Sequence, residues 1–128
     1  HRKYQLIQRR EVRYDEFNME NAEMAVVAYG TAARIAKAAV KRCMARDMPV
    51  GLFRPVSLWP FPVEEIRKLC PQVKHLLVFE MNTGQMVEDV RLAIEGRAEV
   101  SLYARPGGVV PTPAELFGVI SRTLKNVK

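Results

Sequence analysis

A chain of 128 residues, 48% of them hydrophobic and carrying a formal charge of +6, has the length for one domain and the apolar content for one buried core, which excludes disorder. Its longest apolar runs, residues 24–29 and 76–79, are far too short to span a bilayer, and the basic N-terminus runs into Gln, Glu and Asp rather than an apolar signal segment. Cys43 and Cys70, with His1 and His75, lack the number and spacing of a zinc site or an iron–sulfur cluster and read as free thiols of a reducing cytoplasm.

Taken in chain order, residues 1–20 stand apart. A helical remnant is expected to about Arg10, followed by a polar alternation through Val12, Tyr14 and Phe17 that reads as an edge strand or a linker from a preceding domain. The sequence opens at His1 without Met, so a piece of a longer polypeptide is expected. Residues 21–128 are expected to form the domain proper.

Residues 24–29 form an uninterrupted apolar run, as in a strand covered on both faces. Gly30 ends it, and Thr31 opens a helix expected to run to about Asp47. There Ala32, Ile35, Ala36, Ala39, Val40 and Cys43 recur at helical spacing, opposite a basic stripe of Arg34, Lys37 and Lys41. Pro49 breaks the helix, and residues 50–54 read as the second strand. Residues 55–62 hold Pro55, Pro60 and Pro62 and so cannot be regular structure; Pro62 suits the start of a short helix over 63–69, with Glu64 and Glu65 at its positive end. A third strand over 75–80 leads through a turn at 81–84 into a helix over 85–95, which Gly96 terminates. A fourth strand at 99–103 and a loop at 104–111 precede Thr112-Pro-Ala-Glu115, a capping box with Pro at the first helical position. Leu116, Phe117, Ile120 and Leu124 line the final helix.

Strands alternating with helices predict right-handed crossovers and a parallel sheet between two helical layers. Ligands of such sheets bind beyond the carboxyl ends of the strands. Those ends carry Gly30 and Thr31, Arg54, the turn from Glu80 to Gly84, and Arg105, so Arg54, Glu80, Asn82, Gln85 and Arg105 gather on one rim, with Trp59 in the proline-rich loop as a seal or docking side chain. Glycine turns leading into helices can offer backbone N–H groups to an anion, and Arg54 can offer a cation to a carboxylate or phosphate. The bland readings stand beside these: Glu80 as a carboxylate that orients the 82–84 turn, and Trp59 folded back on its own core. One glycine at Gly30 is not a dinucleotide fingerprint, and Arg54 stands where such folds offer an acid to ribose. Glu80 has no convincing nucleophile or second carboxylate beside it, so no catalytic residue and no metal ligand is assigned.

Much of the positive charge is local, with Arg2, Lys3, Arg9, Arg10 and Arg13 against Glu11, and elsewhere bases sit on helices beside acids. Basic and aromatic residues do not interleave as in a single-strand binder, so a nucleic-acid partner is not expected.

Three strings resemble a known family: Val26-Val-Ala-Tyr-Gly-Thr-Ala-Ala-Arg34, Gly51-Leu-Phe-Arg-Pro-Val-Ser-Leu-Trp-Pro-Phe-Pro62 and Phe79-Glu-Met-Asn-Thr-Gly-Gln-Met86. They are similar to the last domain of the alpha subunit of 2-oxoacid:ferredoxin oxidoreductases, especially the 2-oxoglutarate and 2-oxoisovalerate branches, and the resemblance covers roughly residues 10–126. It implies a transketolase C-terminal-domain type of αβα fold, with a mixed, mostly parallel five-stranded sheet and its antiparallel strand at residues 12–17. It also implies an enzyme that converts a 2-oxoacid, coenzyme A and oxidised ferredoxin to acyl-CoA, carbon dioxide and reduced ferredoxin. Thiamine pyrophosphate with magnesium, and iron–sulfur clusters, would be held by other parts of that complex and none by this stretch. The implied partners are the rest of the alpha subunit, the beta subunit, ferredoxin through the complex, and coenzyme A. By the same resemblance the domain would serve assembly and the approach of substrate or coenzyme A, with Gly30, Thr31, Arg34, Arg54, Glu80, Asn82, Gly84 and Gln85 as its functional rim, without a membrane and in the cytoplasm. The alternative is a free-standing α/β domain that binds a small anion or nucleotide in the same crevice.

Overall fold

The computed structural model describes residues 4–9, 12–56, 61–81, 85–105 and 109–127, with side chains from residue 13 onward. Its strands are β1 (Tyr4–Arg9), β2 (Val12–Phe17), β3 (Met24–Val27), β4 (Val50–Pro55), β5 (His75–Glu80) and β6 (Glu99–Ala104). Its helices are α1 (Gly30–Met44), α2 (Val63–Arg67), α3 (Gln85–Ile94) and α4 (Pro113–Lys125). The strands form one sheet in the order β1-β2-β4-β3-β5-β6. The last four in that order are parallel, and β2 runs antiparallel to β4.

The five strands expected are all present as the mixed sheet, and a sixth lies outside them. Residues 4–9 are not a helical remnant: they are β1, paired antiparallel with β2 in a register running from Tyr4↔Phe17 to Arg9↔Val12. Gln, Leu and Arg in this stretch favour a helix locally, but six residues are too few to hold one in water. Pairing along all six residues of β2 decides the state instead.

The central strand β3 is apolar throughout because all four of its residues are buried. On β5 the pleat separates the two faces. Leu77 and Phe79 pack under α1 and α4, whereas Leu76 and Val78 pack against α2 and α3. The alanines of α1 allow close approach to the sheet, and Ala32, Ala36 and Ala39 are almost wholly buried. α4 is fixed by Leu116 and Ile120, both fully buried, which together contribute roughly 4 kcal/mol. Its capping box forms as the sequence predicts: Glu115 N–H donates to Thr112 Oγ1 at 3.1 Å, and Thr112 N–H donates to Glu115 Oε1 at 2.8 Å.

Connectivity places the switch point of the sheet. β3 passes through α1 to β4 on one side, while β4 returns through α2 across β3 to β5. α1 and α3 therefore leave the neighbouring strands β3 and β5 toward opposite faces of the sheet. That reversal makes the carboxyl ends of β3 and β5 the switch point of the sheet.

Candidate functional site

Of the described members of the expected rim, Gly30, Thr31, Arg34, Glu80 and Gln85 lie at this edge. Gly30 and Thr31 open α1 directly beyond β3, Arg34 is exposed at the start of its second turn, Glu80 closes β5, and Gln85 is the exposed first residue of α3. Trp59, Asn82 and Gly84, like Gly107 and Gly108, lie outside the described residues.

Glu80 takes the structural role. It is fully buried, and its two carboxylate oxygens accept from Met86 N–H and Val87 N–H, each at 2.9 Å. A buried carboxylate is tolerable there because the first-turn N–H groups of α3 lack intrahelical partners and carry the positive end of the helix dipole. The anion seat expected at the start of α3 is thus already filled from within the chain. Its neighbour strand is tied in as well: Arg105 N–H donates to the Glu80 carbonyl at 3.0 Å, and the Arg105 guanidinium donates to the Tyr103 hydroxyl at 2.9 Å.

α1 begins differently. Gly30 has φ +60, and Tyr29 at the N-cap makes no side-chain capping hydrogen bond. The left-handed backbone explains the glycine, since any side chain there is strained although a Cβ would meet open space. Helix geometry leaves the N–H groups at the start of α1 without intrahelical partners, next to the exposed Thr31 and Arg34.

Arg54 is engaged elsewhere. Its Nη1 donates to Asp15 Oδ2 at 2.9 Å, and Asp15 is only 4% exposed. Asp15 pairs in register with Arg54 across β2 and β4, on the side away from β3. The guanidinium therefore fastens β2 to β4, and the free cation expected of Arg54 is not offered to the crevice. Sequence reasoning missed Asp15 because its partner is 39 positions away and becomes visible only through the strand register.

The two cysteines are separated by the sheet, Cys43 in the layer under α1 and Cys70 in the layer beside α2. Burial pushes the Cys43 thiol up to about 11, a direction opposite to that of a metal-binding thiolate. Among the described residues, no three His, Cys, Asp or Glu side chains gather as metal ligands. The two thiols, on opposite faces of the sheet, do not fit an iron–sulfur cluster. Among the same residues no helix is long and apolar enough to cross a membrane.

A three-layer αβα domain with a mixed sheet, an antiparallel strand beside the parallel set and its open edge at a switch point is of the transketolase C-terminal type. Two solved structures share this fold. The 2-oxoglutarate:ferredoxin oxidoreductase from Magnetococcus marinus, with 2-oxoglutarate, coenzyme A and succinyl-CoA bound, superposes with a TM-score of 0.75 at 19% identity, over 97% of this chain and 20% of that one. A split-gene transketolase, an inactive beta4 tetramer, does so with a TM-score of 0.69 at 15% identity, over 86% of this chain and 41% of that one. At these identities the likeness is one of fold.

Sequence carries the assignment further. Residues 22–116 match the family described as "Pyruvate:ferredoxin oxidoreductase core domain II", and the chain belongs to that family. It is 44% identical over 106 residues to the ketoisovalerate oxidoreductase subunit VorB of Methanothermobacter marburgensis, covering 83% of this chain and 30% of that protein. It is 36% identical over 101 residues to the 2-oxoglutarate synthase subunit KorA of the same organism, covering 79% and 27% respectively. The chain thus spans about a third or less of the relatives it matches.

Proposed function

We propose that this chain is the C-terminal domain of the alpha subunit of a thiamine-pyrophosphate-dependent 2-oxoacid:ferredoxin oxidoreductase, acting on a substrate of the 2-oxoisovalerate or 2-oxoglutarate class. The observation that supports this most is the 44% identity to a ketoisovalerate oxidoreductase subunit across 83% of the chain. In this reading residues 1–20 lead in from a preceding domain, and the enzyme works in the cytoplasm. Thiamine pyrophosphate with magnesium and the iron–sulfur clusters belong to other parts of the complex, with the beta subunit, ferredoxin and coenzyme A as partners.

The domain itself performs no chemical step. Its work is assembly and the shaping of the approach for substrate or coenzyme A. Gly30 and Thr31 shape one wall of the switch-point crevice, and Arg34 supplies a guanidinium for a carboxylate or phosphate. Gln85 adds an amide from the opposite wall, and Trp59, Asn82 and Gly84 complete the proposed rim. Glu80 holds α3 in place behind them, and Arg54 holds β2.

The test uses the polypeptide that contains these residues, expressed with its companion subunits. Coenzyme-A-dependent reduction of ferredoxin is measured with 2-oxoisovalerate and 2-oxoglutarate. Arg34→Ala and Gln85→Ala are expected to raise KM for the 2-oxoacid or coenzyme A about tenfold, with kcat within about twofold. A complex that reduces ferredoxin with no 2-oxoacid defeats the enzymatic reading, and unchanged KM values defeat the rim.

A further inference from the structure

The positive charge is divided unevenly between the two faces of the sheet. Residues 30–48 hold Arg34, Lys37, Lys41, Arg42 and Arg46 against the single acid Asp47, and residues 112–128 hold Arg122, Lys125 and Lys128 against Glu115. These two segments together equal the formal charge of the whole chain, +6. They contain α1 and α4, which pack side by side over one face. On the other face α3 and its following turn mix Glu88, Asp89, Arg91, Glu95 and Arg97, and Glu95 pairs with Arg67 at 3.2 Å and Arg97 at 3.1 Å. The expectation that bases sit beside acids holds for α3 and fails for α1, where no acid lies between residues 24 and 46.

Within α1, Lys37 and Lys41 are like charges four residues apart and repel, although Lys41 and Arg42, in the last turn, sit favourably at the negative end of the dipole. Lys37 lies over the Phe17 ring at 5.2 Å and Arg46 over the Phe117 ring at 5.1 Å. Arg34, Lys41 and Arg42 are exposed, and no carboxylate among the described residues pairs with them. An opposite charge from outside the domain would relieve this repulsion.

We propose that the outer face of α1, with the adjoining surface of α4, docks on an acidic face of a companion polypeptide of the enzyme. The inference rests on the oxidoreductase reading and names the chemistry of the assembly contact. From Arg34 to Arg42 the cations rise roughly 12 Å along α1, a length suited to a protein surface rather than one small anion. The stripe is continuous with the rim, because α1 starts there. Between the exposed cations of α1 the sequence places alanines such as Ala38 and Ala45 rather than aromatic or amide side chains, which favours protein over nucleic acid.

The full polypeptide and its companion subunits provide the test, with Arg34 left intact because the rim reading uses it. Lys41→Glu/Arg42→Glu is compared with Lys68→Glu/Arg91→Glu on the opposite face, and the dissociation constant of the complex is measured at about 50 and about 500 mM NaCl. The α1 reversal is expected to weaken low-salt assembly about tenfold or more and to flatten its salt dependence, and the control to stay within about twofold. The neutral pair Lys41→Gln/Arg42→Gln separates docking from folding: it gives up only the favourable dipole contacts of two last-turn cations, so it should melt within about 5 °C of wild type while still weakening assembly. Wild-type affinity in both α1 variants overturns the inference, as does normal assembly with loss of duplex DNA binding. A wild-type complex that assembles and turns over, yet ignores both α1 variants, sinks this inference alone. A wild-type polypeptide that neither assembles nor reduces ferredoxin removes the functional reading and this one with it.

Discussion

Two helices begin on the same rim and are finished in opposite ways. α3 starts against Glu80, which is fully buried and accepts from Met86 N–H and Val87 N–H at 2.9 Å each. α1 starts at an exposed glycine with φ +60, and among the described residues Tyr29 at its N-cap makes no side-chain capping hydrogen bond. One end is closed by the chain's own carboxylate, and the other keeps its polar groups directed outward. The difference separates residues that build the crevice from residues left to meet something in it. Both glycine-preceded helices look alike in sequence, and only the cap tells them apart.

The largest expected effect breaks the closed end. Glu80→Ala removes two charge-assisted hydrogen bonds and leaves two buried N–H groups unpaired, which should cost about 3 kcal/mol of unfolding free energy in urea titration. A loss below about 1 kcal/mol would mean that the carboxylate does not hold α3. Gly30→Ala forces a side chain into left-handed backbone and should cost about 1 kcal/mol, from conformation alone, since nothing lies within 4 Å of the added Cβ. Thr31→Ala is the smallest: without a capping bond to lose, it should stay within about 0.5 kcal/mol while altering ligand or partner affinity in the complete enzyme. A larger loss of stability at Thr31 would show that this end is closed after all.

How much of this was legible beforehand follows from which contacts are local. The apolar runs of β3 and β5, the alanine spacing of α1 and the Thr112–Glu115 box declare themselves within a few residues, and these elements stand where the sequence places them. Alternation of strands and helices then suffices to put Gly30, Thr31, Glu80 and Gln85 on one edge. β1 was misread because its Gln and Leu residues suit a helix locally and its state is set by pairing with β2. The role of Arg54 is hidden for the same reason, whereas a structural role for Glu80 is legible in the sequence and only its donors are not. Asp15 meets Arg54 through antiparallel register, and the donors to Glu80 lie six and seven residues on, inside a helix whose approach to β5 depends on the packed sheet.

The contrast between the two helix starts is read most directly by amide hydrogen exchange, residue by residue, in the 128-residue chain and in the assembled enzyme. Met86 and Val87 amides should be protected in both, because Glu80 travels with them. The amides of Thr31 and Ala32 should exchange rapidly in the lone chain and become protected on assembly. Equal and rapid exchange of Thr31 and Ala32 in both states, or protection already present in the lone chain, would contradict a rim that another polypeptide or ligand completes.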